Sequence, residues 1–202
     1  VSTLGIDSSA EMLRKAPQGM RGLSFEEMSI ERFLDDGTAT NDLIFSNAAL
    51  HWIEGHDTLF ERLSRRLAPG GEIAIQMPAN FDHVSHRVAH ELAASPHFST
   101  VLRGYLRKPP VLPPERYADL LDRAGFTEQS VRLQIYPHRL DSRAGVVEWV
   151  KGTLLTDYAS RMSADDYSRF IAEYTRILFE RTEDVRPYFY PFKRILLRAV
   201  RK

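Results

Sequence analysis

An apolar run from Val1 to Ile6 delivers Asp7 onto Ser8-Ser9-Ala10-Glu11-Met12-Leu13, a segment with the marks of a helix start. This constrains the fold more than any other feature, because a strand that feeds a helix returns as a parallel neighbour through a crossover. In nucleotide-binding crossovers the acid at the strand's carboxyl end accepts hydrogen bonds from two ribose hydroxyls, since an ionised carboxylate offers two oxygens and no donor. Ser8 and Glu11 have the spacing of a capping box, which predicts a helix from Ser8 to about Ala16.

The same alternation continues along the chain. Leu23 to Glu27 reads as a short strand, and an acidic loop at Asp35, Asp36 and Gly37 leads to Asp42–Asn47, whose apolar centre suits a buried parallel strand with Asn47 at its carboxyl end. Leu59, Leu63 and Leu67, with Phe60 beside them, predict a helix from Asp57 to Leu67, stopped by Pro69-Gly70-Gly71. Ile73 to Met77 follows as a strand closed by Pro78. This order predicts a twisted parallel sheet with helices on both faces.

A polar helix from Asp82 to Ser95 and a connector rich in proline (Pro109, Pro110, Pro113, Pro114) then interrupt the pattern. Tyr117, Leu120, Leu121 and Ala124 mark the next helix, with Gly125 as its left-handed stop. Val131, Leu133 and Ile135 alternate as a strand. A helical stretch from about Ala144 to Asp184, broken near Ser163, precedes a last strand from Ile195 to Val200. The expectation is one domain over residues 1–202, with insertions at about 79–113 and 141–186 forming a helical lid.

Composition narrows the partners. Lys plus Arg and Asp plus Glu both number 27, so no net field favours nucleic acid or an anionic membrane. The chain has no cysteine, which removes disulfides, thiolate catalysis and cysteine-ligated metals and fits a cytoplasmic protein. Neither a membrane span nor a leader is expected, and a monomer is. His83, His86 and His90 share a helical face, but Arg87 stands where a metalloprotease helix needs Glu, so they read as a solvated face and no metal site is expected.

Three ordered segments, Gly5-Ile6-Asp7-Ser8-Ser9-Ala10-Glu11-Met12-Leu13, Asp42 to Trp52, and Leu67-Ala68-Pro69-Gly70-Gly71-Glu72, resemble the class I S-adenosylmethionine-dependent methyltransferases. The finer pattern, Ile75-Gln76-Met77-Pro78-Ala79-Asn80, Val147 to Thr153 and Pro191-Phe192-Lys193-Arg194-Ile195, is similar to the branch that methylates small polycarboxylates such as trans-aconitate. The resemblance implies an α/β, Rossmann-like methyltransferase sheet and S-adenosylmethionine as cofactor. It also implies a central strand and Gly-rich loop ahead of Val1, on the order of 50 further residues, without which the sheet would split and leave apolar edges exposed.

By the same resemblance, Asp7 and Ser8 would bind the ribose, Met12 would pack near the adenine, and Met28 and Ser29 would lie beside the ring. Ser29 departs from the Asp common there and would hold the adenine amino group more weakly. Asn47 and Ala48 would support the methionine portion, while Leu50, His51 and Trp52 would wall the site of transfer.

Methyl transfer to a carboxylate needs alignment more than acid or base help, because a carboxylate of ordinary pKa, about 4, is already ionised. No catalytic residue is therefore expected. Arg194, Tyr117, Gln76, Trp149 and His51 are the candidate acceptor contacts, with Arg107 as a weaker one. The rival acceptor is another carboxylate, such as a carrier-bound malonyl group, and the rival class is a non-catalytic binding module on the same fold. Simpler roles compete residue by residue: Asp7 as a helix N-terminal acid, Asn47 as a turn residue, Trp52 and Trp149 as core, Arg194 as surface.

Overall fold

The computed structural model describes residues 1–35 and 40–202, so Asp36 and Gly37 of the expected acidic loop lie outside the described residues. Strands β1 (Thr3–Asp7) and β2 (Leu23–Glu27) pair in parallel across helix α1 (Ala10–Arg14) and form a two-stranded sheet of their own. The helix starts one residue later than the capping box predicts. Ser9 is the N-cap, its Oγ accepting from Met12 N at 3.3 Å, and Glu11 pairs forward with Lys15 at 2.8 Å rather than reaching back. Asp7 causes the shift, because its Oδ1 accepts from Ser9 N at 2.8 Å and turns the chain through Ser8.

Helix α2 (Ile30–Asp35) joins this unit to the rest: Leu34 is buried in the main core, and Arg62 binds Asp35 at 2.5 Å. The second sheet has the order β3-β4-β6-β5, comprising β3 (Asn41–Asn47), β4 (Leu67–Pro78), β5 (Phe126–Leu140) and β6 (Tyr188–Arg201). Only β3 and β4 are parallel; β6 runs antiparallel to both β4 and β5. The strands from which a parallel sheet was expected are parallel in pairs, β1 with β2 and β3 with β4, and the two later strands join antiparallel and make the second sheet mixed. Leu140 pairs with Tyr188, so β5 and β6 form a hairpin interrupted by helices, which returns the chain beside the strand it left.

Helix α3 (His56–Arg65) is also shorter than its leucine spacing predicts. Leu67 opens β4 opposite Asn41, and Pro69-Gly70-Gly71 lies inside that strand at a register shift. A Cβ on Gly71 would stand 2.8 Å from the Asn41 carbonyl oxygen and 2.9 Å from that of Ala68, so the turn admits only glycine without backbone movement.

Two apolar cores share β6. Beneath one face of the sheet, α3 and α6 (Pro114–Arg123) pack Leu59, Phe60, Leu63 and Leu121 against Ile73, Ile75, Met77, Ile195 and Leu197. On the other face, α4 (Val84–Ala93), α5 (Pro96–Val101), α7 (Ala144–Lys151), α8 (Thr156–Ala159) and α9 (Ala164–Glu180) gather around Phe170, Tyr174, Tyr190 and Phe192. These helices come from the two expected insertions, and they cover only the end of the sheet from which β6 starts. Beyond them the same face is open, with Leu43 and Phe45 exposed at 55% and 70%.

Candidate active site

The carboxyl ends of β3 and β4 lie side by side, with Asn47 paired to Gln76, and the chain leaves β3 through Ala48 in a left-handed conformation (φ 53°). That backbone is costly for a side chain bearing a Cβ, and Ala48 N donates to Gln76 O at 2.9 Å to hold it. The turn delivers Leu50, His51 and Trp52 as one short 3-10 helix over the strand ends.

Four polar side chains converge there. Arg194, opposite Pro78 on β6, donates from Nη1 to Gln76 Oε1 at 2.5 Å, and its guanidinium stands 5.0 Å from the Phe192 ring centroid and 5.5 Å from that of Tyr136. The Gln76 amide nitrogen and His51 Nδ1 are buried without a hydrogen-bond partner. Arg107 stacks 4.5 Å over the Trp52 ring and donates from Nη1 to Leu154 O at 3.2 Å. Burial, then the positive charges of Arg107 and Arg194, lower His51 to about 4. With His51 neutral, the guanidiniums of Arg107 and Arg194 leave the cluster cationic, and the unpartnered Gln76 amide nitrogen and His51 Nδ1 can meet a ligand.

The other candidates are placed differently. Tyr117 is corrected from an acceptor contact to a buried support, because it is fully buried and its hydroxyl is already used. His56 Nε2 meets the Leu50 carbonyl at 3.0 Å and must donate to it, so Nδ1 is the acceptor and takes the Tyr117 hydroxyl proton at 2.6 Å. The same hydroxyl accepts from Leu112 N at 3.0 Å. Burial lowers His56 and raises Tyr117, which keeps both neutral. Tyr117 thus fixes the turn that carries His51 and Trp52. Trp149 lies among His138, Tyr190 and Phe192, at 4.8, 5.6 and 5.4 Å between ring centroids, and shares the Phe192 ring with Arg194.

On the β1 side, Asp7 is half-buried at the strand end with one oxygen committed to Ser9 N, which leaves the second oxygen for another donor. Ser8 is exposed and Met12 is 55% exposed, while Met28 is buried and donates its N–H to Asp7 O at 3.1 Å. Ser29 caps α2, its Oγ accepting from Arg32 N at 3.2 Å, which explains the residue type without a ligand. Asn47 is exposed at the tip of β3.

Of the histidines expected on a solvated face, His90 is exposed, whereas His83 and His86 are half-buried. His83 caps the helix, its Nδ1 accepting from Ser85 N at 3.2 Å, and desolvation holds His86 down to about 3. Among the described residues no group of three His, Asp or Glu could hold a metal ion, and no helix is long and apolar enough to cross a membrane. Periodicity placed His86 on a helical face but gave no sign of its burial against Phe81, nor of the position of Arg107, which reaches Leu154 on the second insertion.

A methyltransferase domain model matches residues 1–75. The trans-aconitate 2-methyltransferase of Deinococcus radiodurans is 40% identical over 99% of this chain and 78% of its own length. The trans-aconitate 2-methyltransferase of an Azoarcus species is 35% identical over 98% and 77%. The solved structure of the YcgJ protein from Bacillus subtilis shares the fold, with a TM-score of 0.57 at 15% identity over 100% of this chain and 82% of that one. With relatives matched at this identity across nearly all of its residues, the chain belongs to the trans-aconitate 2-methyltransferase family.

Proposed function

We propose that the protein transfers a methyl group from S-adenosylmethionine to a carboxylate of a small polycarboxylate, trans-aconitate, giving a methyl ester. The observation that carries this reading is the convergence of Arg194, Arg107, the orphaned Gln76 amide and a neutral His51 at adjacent strand ends. The names of the relatives support the acceptor.

The donor set suits the cofactor. The second oxygen of Asp7 is available for a ribose diol, and Asn47 and Ala48 stand at a strand end for its methionine portion. When bound, S-adenosylmethionine supplies a sulfonium methyl, which a carboxylate oxygen takes while the bonding pair stays on sulfur. No proton moves, so the residues have no base to provide. Arg194 fixes one carboxylate with forked donors, its direction set by Gln76.

Incubation with methyl-labelled S-adenosylmethionine and a panel of acids tests the reading. Labelled methyl ester on trans-aconitate is expected. Ester on a malonyl carrier alone, or no transfer to any acid, overturns it.

A further inference from the structure

Helix α4 and the proline-rich connector enclose a cavity of about 200 Å³ lined by Phe81, His86, Arg87, His90 and Arg107, with Leu154 beneath. It is smaller than the roughly 300–1,000 Å³ of pockets for drug-sized ligands, so it suits a small molecule or part of one. Arg107 belongs to this cavity and to the strand-tip cluster at once, since its guanidinium also covers Trp52. Its Nη1 serves the Leu154 carbonyl, and a guanidinium carries five N–H donors in all.

The lining favours an anion. Arg87 and Arg107 are cations, and the single acid, Glu91, is paired with Arg181 at 2.5 Å. His86 packs edge-on to Phe81 at 5.6 Å and meets Ser85 Oγ at 3.2 Å; desolvation keeps it neutral, so it offers a hydrogen bond without charge. Phe81 and Leu154 supply apolar surface for a carbon skeleton.

We propose that this cavity seats the acceptor carboxylates that are not methylated, with Arg107 supplying charge from the wall shared with Trp52 and His86 a hydrogen bond from α4. The proposal rests on the polycarboxylate reading above and adds the part of the molecule that selects an acid with a distant second charge.

Calorimetry with tricarballylate, a saturated tricarboxylate, tests it on the wild-type protein and on His86→Leu and His90→Glu, with circular dichroism checking each fold. Both variants are expected to weaken binding about 10-fold, the loss of one hydrogen bond or the gain of one repelling carboxylate. His90 is exposed, so His90→Glu decides the matter if His86→Leu does not fold. Wild-type affinity in the folded variants, or no binding of tricarballylate by the wild type, overturns the proposal. Methylation of trans-aconitate with an unchanged KM in both variants removes the cavity and leaves the proposed function intact. Variant-sensitive tricarballylate binding without methylation of any polyacid does the reverse.

Discussion

Tyr117→Phe removes one oxygen from the interior and leaves the ring, so it opens no cavity, and its effect is that of the hydroxyl alone. In the folded chain that hydroxyl donates to His56 Nδ1 at 2.6 Å and accepts from Leu112 N at 3.0 Å. The substitution strands a buried imidazole acceptor and a half-buried backbone donor, each at about 1–3 kcal/mol. We expect a loss of about 2–4 kcal/mol, read from urea unfolding. For a chain of this size that corresponds to a fall in Tm on the order of 10 °C. Because His56 Nε2 also grips the Leu50 carbonyl, the acceptor KM should rise through a displaced His51 and Trp52 even where kcat is preserved. A double-mutant cycle with His56→Leu should return a coupling of about 1 kcal/mol or more. A loss below about 0.5 kcal/mol with zero coupling would refute the assignment of the tautomer and of Tyr117 as the support.

Four shorter predictions accompany it. Arg194→Gln should lower kcat/KM for the acceptor by about 10- to 100-fold while leaving cofactor affinity unchanged, since a charged hydrogen bond is worth about 1.5–3 kcal/mol. Asp7→Asn should weaken S-adenosylhomocysteine by a similar factor in calorimetry and leave tricarballylate binding as it was. His51 sits at about 4 in the folded protein against an ordinary 6.5, so the unfolded chain binds the extra proton between those values. Stability from this group is complete above about pH 6.5 and falls with pH, by about 2 kcal/mol at pH 5, a dependence that His51→Gln should remove in urea titrations. Gly71→Ala should cost about 1–3 kcal/mol in the same assay, because its Cβ would meet two backbone oxygens under 3 Å.

What the sequence made legible was local. The strand ending at Asp7, the strand ending at Asn47 and the stop at Gly125 (φ 80°) are each set by a short apolar run or one residue's conformational freedom. Where pairing over distance decides, the local signal misled. The leucine period carried the α3 prediction through Leu67, yet Leu67 pairs with Asn41 and belongs to β4. The direction of β6 depends on a hairpin whose two strands are separated by three helices, and no pattern within either strand encodes it.

The site divides in the same way. Arg194 and Gln76 were singled out because the motifs around them are contiguous, and the structure brings the two side chains together at 2.5 Å. Tyr117 was misjudged because an aromatic bearing a hydroxyl reads equally as ligand contact or as core, and only its partners distinguish the two. The contacts of Arg107 were not legible because they are made with Trp52, 55 residues away, and with Leu154 on the second insertion.

Strand β6 sends alternate side chains into both apolar interiors: Tyr190 and Phe192 into the one built with α4, α5, α7, α8 and α9, and Ile195, Leu197 and Ala199 into the other. The helical layer around Tyr190 and Phe192 is therefore coupled in its melting to the interior on the far face. Any loosening of its helices frees the same ribbon on which the far interior depends, and thermal damage begun at either end is shared by the whole catalytic body.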